Sequence, residues 1–317
     1  DMVNIQKAAV IGCGFVGSTI AYTLMQKGLF SEMVLLDANK AKAEGEAMDI
    51  SHGLPFTHAM DIYAGEYEDI ADASVVIITA GANQKPGETR LDLVQKNAAI
   101  MRSIIKEIKR VNCEGILLIV SNPVDILTEV ALRESGFPKE RVIGSGTVLD
   151  TARLKYIISE KLDVDSRNVH AFIVGEHGDS ELAAWSCANI YGIKLQDFAK
   201  MRGYEHFAQD MEEVYKGVRD SAYEIIERKG ATYYGIGMAA EKIVEAIVTN
   251  SHTVAPISGS LDGKYGLEGL CLSIPTIVGR GGAEQVLEID FSEEEMKKLR
   301  KSAEELGAVL DQVNIEK

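Results

Sequence analysis

"AAVIGCGFVGSTIAYTLM", residues 8–25, decides how the rest of the chain is read. An apolar run ends at Gly12. Gly12, Gly14 and Gly17 then make G-x-G-x-x-G ahead of a helical pattern that stops at Gly28, in C-cap position. A lone match of this kind is weak. Here a strand precedes it, a helix follows, and Asp37 ends the next apolar run 20 residues after Gly17. Glycines let the backbone approach a pyrophosphate at a helix N-terminus, where unpaired N–H groups face the anion. Asp37 accepts hydrogen bonds from a ribose diol and repels a phosphate there, which favours NAD over NADP. The competing reading is a tight glycine turn that serves packing alone.

Outward from this turn, "AAVIG", "MVLLD", "DIYAG", "SVVIITAG", "GILLIVSN" and "RVIGSG" alternate with helical patterns such as "LDLVQKNAAIMRSIIKEIKRV". The longer runs read as strands buried on both faces, as in a parallel sheet between layers of helices. The expectation is an α/β protein. A doubly wound parallel sheet (a Rossmann domain) spans 1–145, and a mixed α+β substrate domain spans 146–317. In the second half "DTARLKYIISEKL" and "GYEHFAQDMEEVYKGVRDSAYEIIERKG" read as helices. The stretch from "TVAPISG" to "EQVLEID" reads as antiparallel ribbon. The closing "SEEEMKKLRKSAEELGAVLDQV" reads as a helix with a Ser292/Glu295 capping box and a solvated charged face.

With 317 residues, 46% of them hydrophobic, the chain buries a sizeable core. A formal net charge of −15 repels phosphate backbones and anionic lipid, so neither nucleic acid nor membrane is an expected partner. An anionic ligand must instead meet a local cluster of Arg and Lys. No apolar run reaches membrane-spanning length, and no secretory leader is recognised. Cys13, Cys113, Cys187 and Cys271 are scattered without a C-x-x-C pair, which reads as reduced thiols in the cytoplasm.

Three stretches carry chemistry. "TAGANQKPGETRLDL", residues 79–93, follows the fourth strand at the carboxyl edge of the sheet. It reads equally well as a solvated loop and as a hinged lid. Arg90 opens the next helix, an odd place for a cation unless an anion is brought to it. In "LDTARL", Asp150 and Arg153 share a helix face. They either pair with each other, or Asp150 orients a histidine while Arg153 grips a carboxylate. In "IVGEHGDSELAAW", residues 173–185, His177 stands where an apolar run stops. A carboxylate on one ring nitrogen would fix its tautomer and favour the protonated form. That ring gives a proton to a carbonyl oxygen as hydride reaches the carbon, and the neutral ring removes the hydroxyl proton in reverse. The bland alternative is a satisfied loop histidine. His52, His58, His206 and His252 lack such surroundings and read as surface or structural residues. No His, Cys, Asp and Glu have metal-ligand spacing, so no metal is expected.

The motifs "GCGFVGS", "TAGANQKPGETRLDLVQKN", "SNPVDILT", "GSGTVLDTARLKY" and "IVGEHGDSE", in this order over essentially the whole chain, resemble the bacterial L-lactate dehydrogenases of the lactate/malate dehydrogenase family. The resemblance implies an allosteric homotetramer that interconverts pyruvate and L-lactate with NAD in glycolysis and fermentation. It makes His177 the acid–base residue, Asp150 its carboxylate partner, and Arg153 the clamp on the substrate carboxylate. Arg90 becomes the lid arginine that polarises the carbonyl, while Gln84, Asn122 and Thr232 become substrate neighbours. Implied cofactor contacts are Gly12, Gly14, Val16, Gly17, Asp37, Lys42, Tyr67, Gly81, Ala82, Ser103, Val120, Asn122, Ser145 and Ile236. Asn122–Pro123 resembles the family's cis peptide. Fructose bisphosphate activates many of these enzymes through an Arg and a His. The matching residues here are Lys155 and His170, and the lysine loses the bidentate fork.

Malate dehydrogenase is the nearest rival, but a second substrate carboxylate calls for a cation where Gln84 stands. A non-catalytic NAD-binding regulatory protein is the rival from another class. The intact set of His177, Asp150, Arg90 and Arg153 speaks against it.

Overall fold

In the computed structural model, which describes residues 3–313, β1 (Asn4–Ile11) enters the glycine turn and α1 (Phe15–Lys27) leaves it. The outermost residues of both expected domains, 1–2 and 314–317, lie outside the described residues. Gly12 has φ +104°, and a Cβ there would lie 2.6 Å from the Ala80 nitrogen. A Cβ on Gly17 would lie 1.8 Å from the Gly12 carbonyl oxygen. Bare backbone at Gly12 lets the turn lie against the end of the 73–78 strand, and at Gly17 it lets α1 press onto the turn that leaves β1.

β2 (Glu32–Leu36), β3 (Asp61–Ala64), β4 (Ala73–Ile78), β5 (Ile116–Ile119) and β6 (Val142–Gly144) join β1 in parallel, in the spatial order 3-2-1-4-5-6. Every residue of β4 and β5 is buried, as uninterrupted Val, Ile and Leu require. α1 and α2 (Lys40–Ser51) alternate along the chain with the strands, as do α3 (Arg90–Arg110) and α4 (Val124–Ser135). Two apolar layers result, one containing Ile78, Met101 and Leu117, the other Val10, Leu24 and Leu118. The strand order reverses between β1 and β4, which opens a crevice at the carboxyl ends of the strands.

The second half supplies α5 (Val148–Leu162), α6 (Leu195–Met201), α7 (Phe207–Lys229), α8 (Tyr234–Val248) and α9 (Glu293–Gln312). Strands 253–255, 276–279 and 282–286 form the expected antiparallel ribbon. Strands 258–260 and 271–273 do not stay in it. They pair with each other and join the main sheet, Ser258 opposite Gly144, so that the sheet has eight strands. Left uncovered, β6 would present an open row of N–H and C=O groups. Two-residue strands at 169–170, 173–174, 182–183, 189–190 and 193–194 are too short for alternation to show. The Ser292/Glu295 capping box forms as expected. Glu295 is nevertheless buried, because its carboxylate also accepts the Ser186 backbone N–H at 3.0 Å and the Ser186 hydroxyl.

Gly17→Ala should force β1 and α1 apart. Overpacking of this kind costs about 1–3 kcal/mol, which a denaturant titration would read as a lower midpoint.

Candidate active site

β6 passes through Ser145, Gly146 and Thr147 into α5, which puts Asp150 in the first turn of that helix with a side chain only 4% exposed. Two threonines then fix α5 against the strand that leads to His177. The Thr147 hydroxyl donates to the Ile173 carbonyl at 2.6 Å, and the Ile173 N–H donates to the Thr151 hydroxyl at 3.0 Å. Gly175 exchanges backbone hydrogen bonds with Ser273 of the added hairpin, at 2.9 and 3.2 Å. The His177 N–H donates to Asp125 Oδ2 at 2.8 Å, while Asp125 Oδ1 accepts the Ser258 hydroxyl at 2.7 Å. Backbone and helix are therefore both fixed before the imidazole makes its own contact.

That contact is His177 Nδ1 to Asp150 Oδ2 at 2.5 Å. The Arg153 guanidinium donates to the other oxygen of Asp150 at 3.0 Å. Asp150 thus pairs with Arg153 and meets His177 at the same time. Burial alone would push the Asp150 carboxyl up. The hydrogen bond and charge of His177, with help from Glu181 and Arg153, override burial and hold it well below the usual range. Burial likewise pulls the His177 imidazole down, and Asp150 more than offsets it, so the ring titrates above its ordinary value.

Asn122, Asp150, Arg153, His177 and Thr232 line one cavity of about 290 Å³. Ser145 lines it too, and Val16, Val120 and Ile236 give it an apolar wall. The Asn122–Pro123 peptide beside it is cis. Gln84 and Arg90 are not in this cavity. Both are exposed on the 79–93 stretch, and the Gln84 amide donates to the Glu88 carbonyl of its own loop at 2.8 Å. Arg90 acts electrostatically on Glu176 and on Tyr223, a cavity-lining residue, so its charge reaches the rim.

The turn at 12–17 suits a dinucleotide. A Cβ on Gly14 would meet nothing within 4 Å, and α1 begins there without a side-chain cap, so its first N–H groups face open space. Asp37 accepts the Cys13 and Asn39 N–H groups at 2.8 and 2.9 Å, which holds the carboxylate beside the turn. Lys42 lies nearby on α2. Ala82 donates to Asn97 at 2.7 Å, and Asn97 donates to the Asn122 carbonyl at 3.1 Å, so one buried amide ties Gly81–Ala82 to the cavity. Ser103 and Tyr67 do not line the cavity either. The exposed Ser103 donates within α3, to the Ile100 carbonyl, and Tyr67 packs on the apolar core, where burial pushes its phenol up.

Asp125, Asn97 and Glu181 are the residues that sequence reasoning left without a role. Asp125 lay in the quoted "SNPVDILT" and Glu181 in "IVGEHGDSE", but their partners are 52 and 31 residues away or across a turn. The fold also gathers Asp150, His177 and Glu181, with polar atoms all within 4.8 Å, although no metal-like spacing links them in sequence. At 2.5 Å the His177–Asp150 contact is a hydrogen bond, closer than two ligands of one ion stand. Lys155 is half-buried on α5, where burial pushes its amine down, and His170 is exposed on a short strand that shares an apolar cluster with α5.

Residues 6–144 match the description "lactate/malate dehydrogenase, NAD binding domain", and residues 147–316 match "lactate/malate dehydrogenase, alpha/beta C-terminal domain". The chain belongs to the lactate/malate dehydrogenase family. It is accordingly an NAD-dependent 2-hydroxy acid dehydrogenase, with NAD as the cofactor of its first half. Within the family it is 53% identical over 311 residues to the L-lactate dehydrogenase of Acetivibrio thermocellus, covering 98% of each chain. It is 49% identical over 306 residues to that of Priestia megaterium, covering 96% of each. The structure matches the ligand-bound minor L-lactate dehydrogenase of Enterococcus mundtii with a TM-score of 0.95 at 45% identity, over 98% of this chain and 99% of that one. A family member from a Medee basin deep-sea metagenome, MGS-M5, matches with a TM-score of 0.95 at 48% identity, over the same shares.

Proposed function

We propose that this protein interconverts pyruvate and L-lactate, with His177 as the acid–base group. The observation that carries this reading is the His177–Asp150–Arg153 set in one small, partly apolar cavity. Nδ1 of His177 is committed to Asp150, which leaves Nε2 to exchange a proton with the substrate oxygen. Arg153, 12% exposed, gives one nitrogen to Asp150 and keeps others for a carboxylate. Asn122 and Thr232 bound the space left for a methyl group. Bound NADH supplies the hydride. Arg90 polarises the carbonyl and Gln84 faces the methyl when the 79–93 loop folds over the cavity. Gly12, Gly14, Val16, Gly17, Asp37 and Ile236 hold the dinucleotide, with Lys42, Tyr67, Gly81, Ala82, Ser103, Val120 and Ser145 as its outer contacts. The functional boundary falls between residues 145 and 146.

The same reading makes the protein a cytoplasmic, fermentative, glycolytic enzyme that works as a homotetramer. Four free cysteines suit a reducing compartment, and no described helix is long and apolar enough to cross a membrane. Self-association is supported by Phe15 (69% exposed), Met48 (62%) and Tyr234 (68%), large apolar side chains on α1, α2 and α8 that water would otherwise cover. Lys155 and His170 form an activator site for fructose bisphosphate, since clustered cations in an acidic assembly call for an anion.

His177→Gln should slow pyruvate reduction by roughly two to four decades while NADH still binds. In the unmodified protein kcat/KM for pyruvate is full below the raised pKa of His177 and is lost as pH climbs through it. Asp150→Asn removes the raising partner, so the decline should start at lower pH, and an unmoved pH profile contradicts the pairing. Gln84→Arg should shift the ratio of specificity constants towards oxaloacetate by orders of magnitude, measured in parallel assays with the two oxo acids. Fructose bisphosphate should tighten pyruvate saturation in the unmodified protein and not in Lys155→Ala/His170→Ala.

A further inference from the structure

Beneath the catalytic pair lies a second carboxyl that the reaction as described does not use. Glu181 is 3% exposed, and one of its oxygens lies 3.9 Å from His177 Nδ1. With Asp150 it completes the group whose polar atoms all stand within 4.8 Å. Two carboxylates this close in a dry wedge do not both ionise. The cations decide which keeps its charge. His177 Nδ1 touches Asp150 at 2.5 Å and Arg153 touches it at 3.0 Å. Glu181, among the described residues, receives the Gly178 N–H at 3.4 Å and lies 3.9 Å from His177 Nδ1. Asp150 therefore holds the charge, and the proton stays on Glu181.

We propose that Glu181 is a positioning residue for the acid–base pair: as a neutral carboxylic acid it donates a hydrogen bond to Asp150, leaving a single negative charge under His177. The inference rests on His177 and Asp150 being the acid–base pair proposed above. Burial, followed by the charge of Asp150, pushes the Glu181 carboxyl well above the ordinary range, in keeping with the geometry. The remaining groups around this wedge are Asp125 from α4, Arg153 from α5, and Tyr215 and Arg219 from α7. Of these, Tyr215 donates to the Glu181 backbone carbonyl at 2.6 Å, which fixes where the residue stands without neutralising its side chain. Glu181 also lines a second cavity, of about 370 Å³, where Lys298 and Lys301 of α9 stand. Neither lysine makes a hydrogen bond or ion pair with Glu181 among the described contacts.

The consequence is a donor that keeps the oxygens of Asp150 from rotating and tempers the basicity that Asp150 passes to His177. The experiment compares pH profiles of kcat/KM for pyruvate in the full-length unmodified protein, Glu181→Gln, Glu181→Met and His177→Gln, with thermal melting as the check on folding. The glutamine amide donates the same bond and introduces no charge. Its apparent pKa should stay within roughly 0.3 unit of the unmodified value, with kcat/KM within about threefold. Methionine donates nothing. Asp150 then becomes more basic, the apparent pKa should rise by roughly half a unit or more, and kcat/KM at neutral pH should fall about tenfold. A drop of about one unit in the glutamine variant means that a resident carboxylate charge was lost, and overturns the proposal. So does a methionine variant that melts normally and reproduces the unmodified profile. If methionine prevents folding, the glutamine profile alone decides. Near-normal turnover in His177→Gln overturns the acid–base reading instead, and is distinguishable because it is independent of Glu181.

Discussion

A charged carboxylate kept almost free of water is the constraint on which this molecule depends. Asp150 is 4% exposed, and taking such a group out of water costs several kcal/mol unless cations and donors surround it. His177, Arg153 and Glu181 must all arrive before that burial is tolerable, and they come from two separate segments of chain. The threonines at 147 and 151, the Gly175–Ser273 backbone pair and the Asp125 bond to the His177 N–H are the framework that brings them there. On the proposed mechanism stability and chemistry meet at one side chain, since a misplaced imidazole would leave both the proton without its carrier and an uncompensated buried charge.

Sequence made the first half of the fold readable because its strands are continuous apolar runs and its glycines sit where backbone meets backbone. Gly12 and Gly17 are bare for packing reasons and Gly14 for access, a distinction the pattern alone does not draw. The hairpin at 258–260 and 271–273 is antiparallel, as its sequence suggests, but its bond to β6 is not legible there because its strands are three residues each and pairing partner is not a local property. Of the site, His177, Asp150, Arg153, Asn122 and Thr232 come together, while Gln84 and Arg90 remain on an exposed loop. Asp125, Asn97 and Glu181 escaped because an acid or an amide in a helix or loop carries no mark of burial. Only tertiary distance reveals what it holds.

Charge is distributed with the same economy. A chain of net charge −15 has a surface unfriendly to small carboxylates, yet the cavity carries Arg153 and Arg219 in its wall and Arg90 near its rim. Asp150 and Asp179 stand in the same wall, so the guanidiniums there act as directed donors more than as a net charge. Screening by salt affects the outer part far more than the inner.

The hairpin bonded to β6 gives the two halves a shared fate. Its Ser258 sits opposite Gly144, its Ser273 pairs with Gly175, and the Ser258 hydroxyl reaches Asp125. A segment ending at residue 145 would lose the cover on its outermost strand and the hydroxyl that steadies a buried acid. Modularity is thereby forfeited: the nucleotide-binding half is not a cassette that can be lifted out, grafted or circularly rearranged without rebuilding that edge. What reads as two domains in the order of the chain is joined, at that edge, by backbone and side-chain hydrogen bonds.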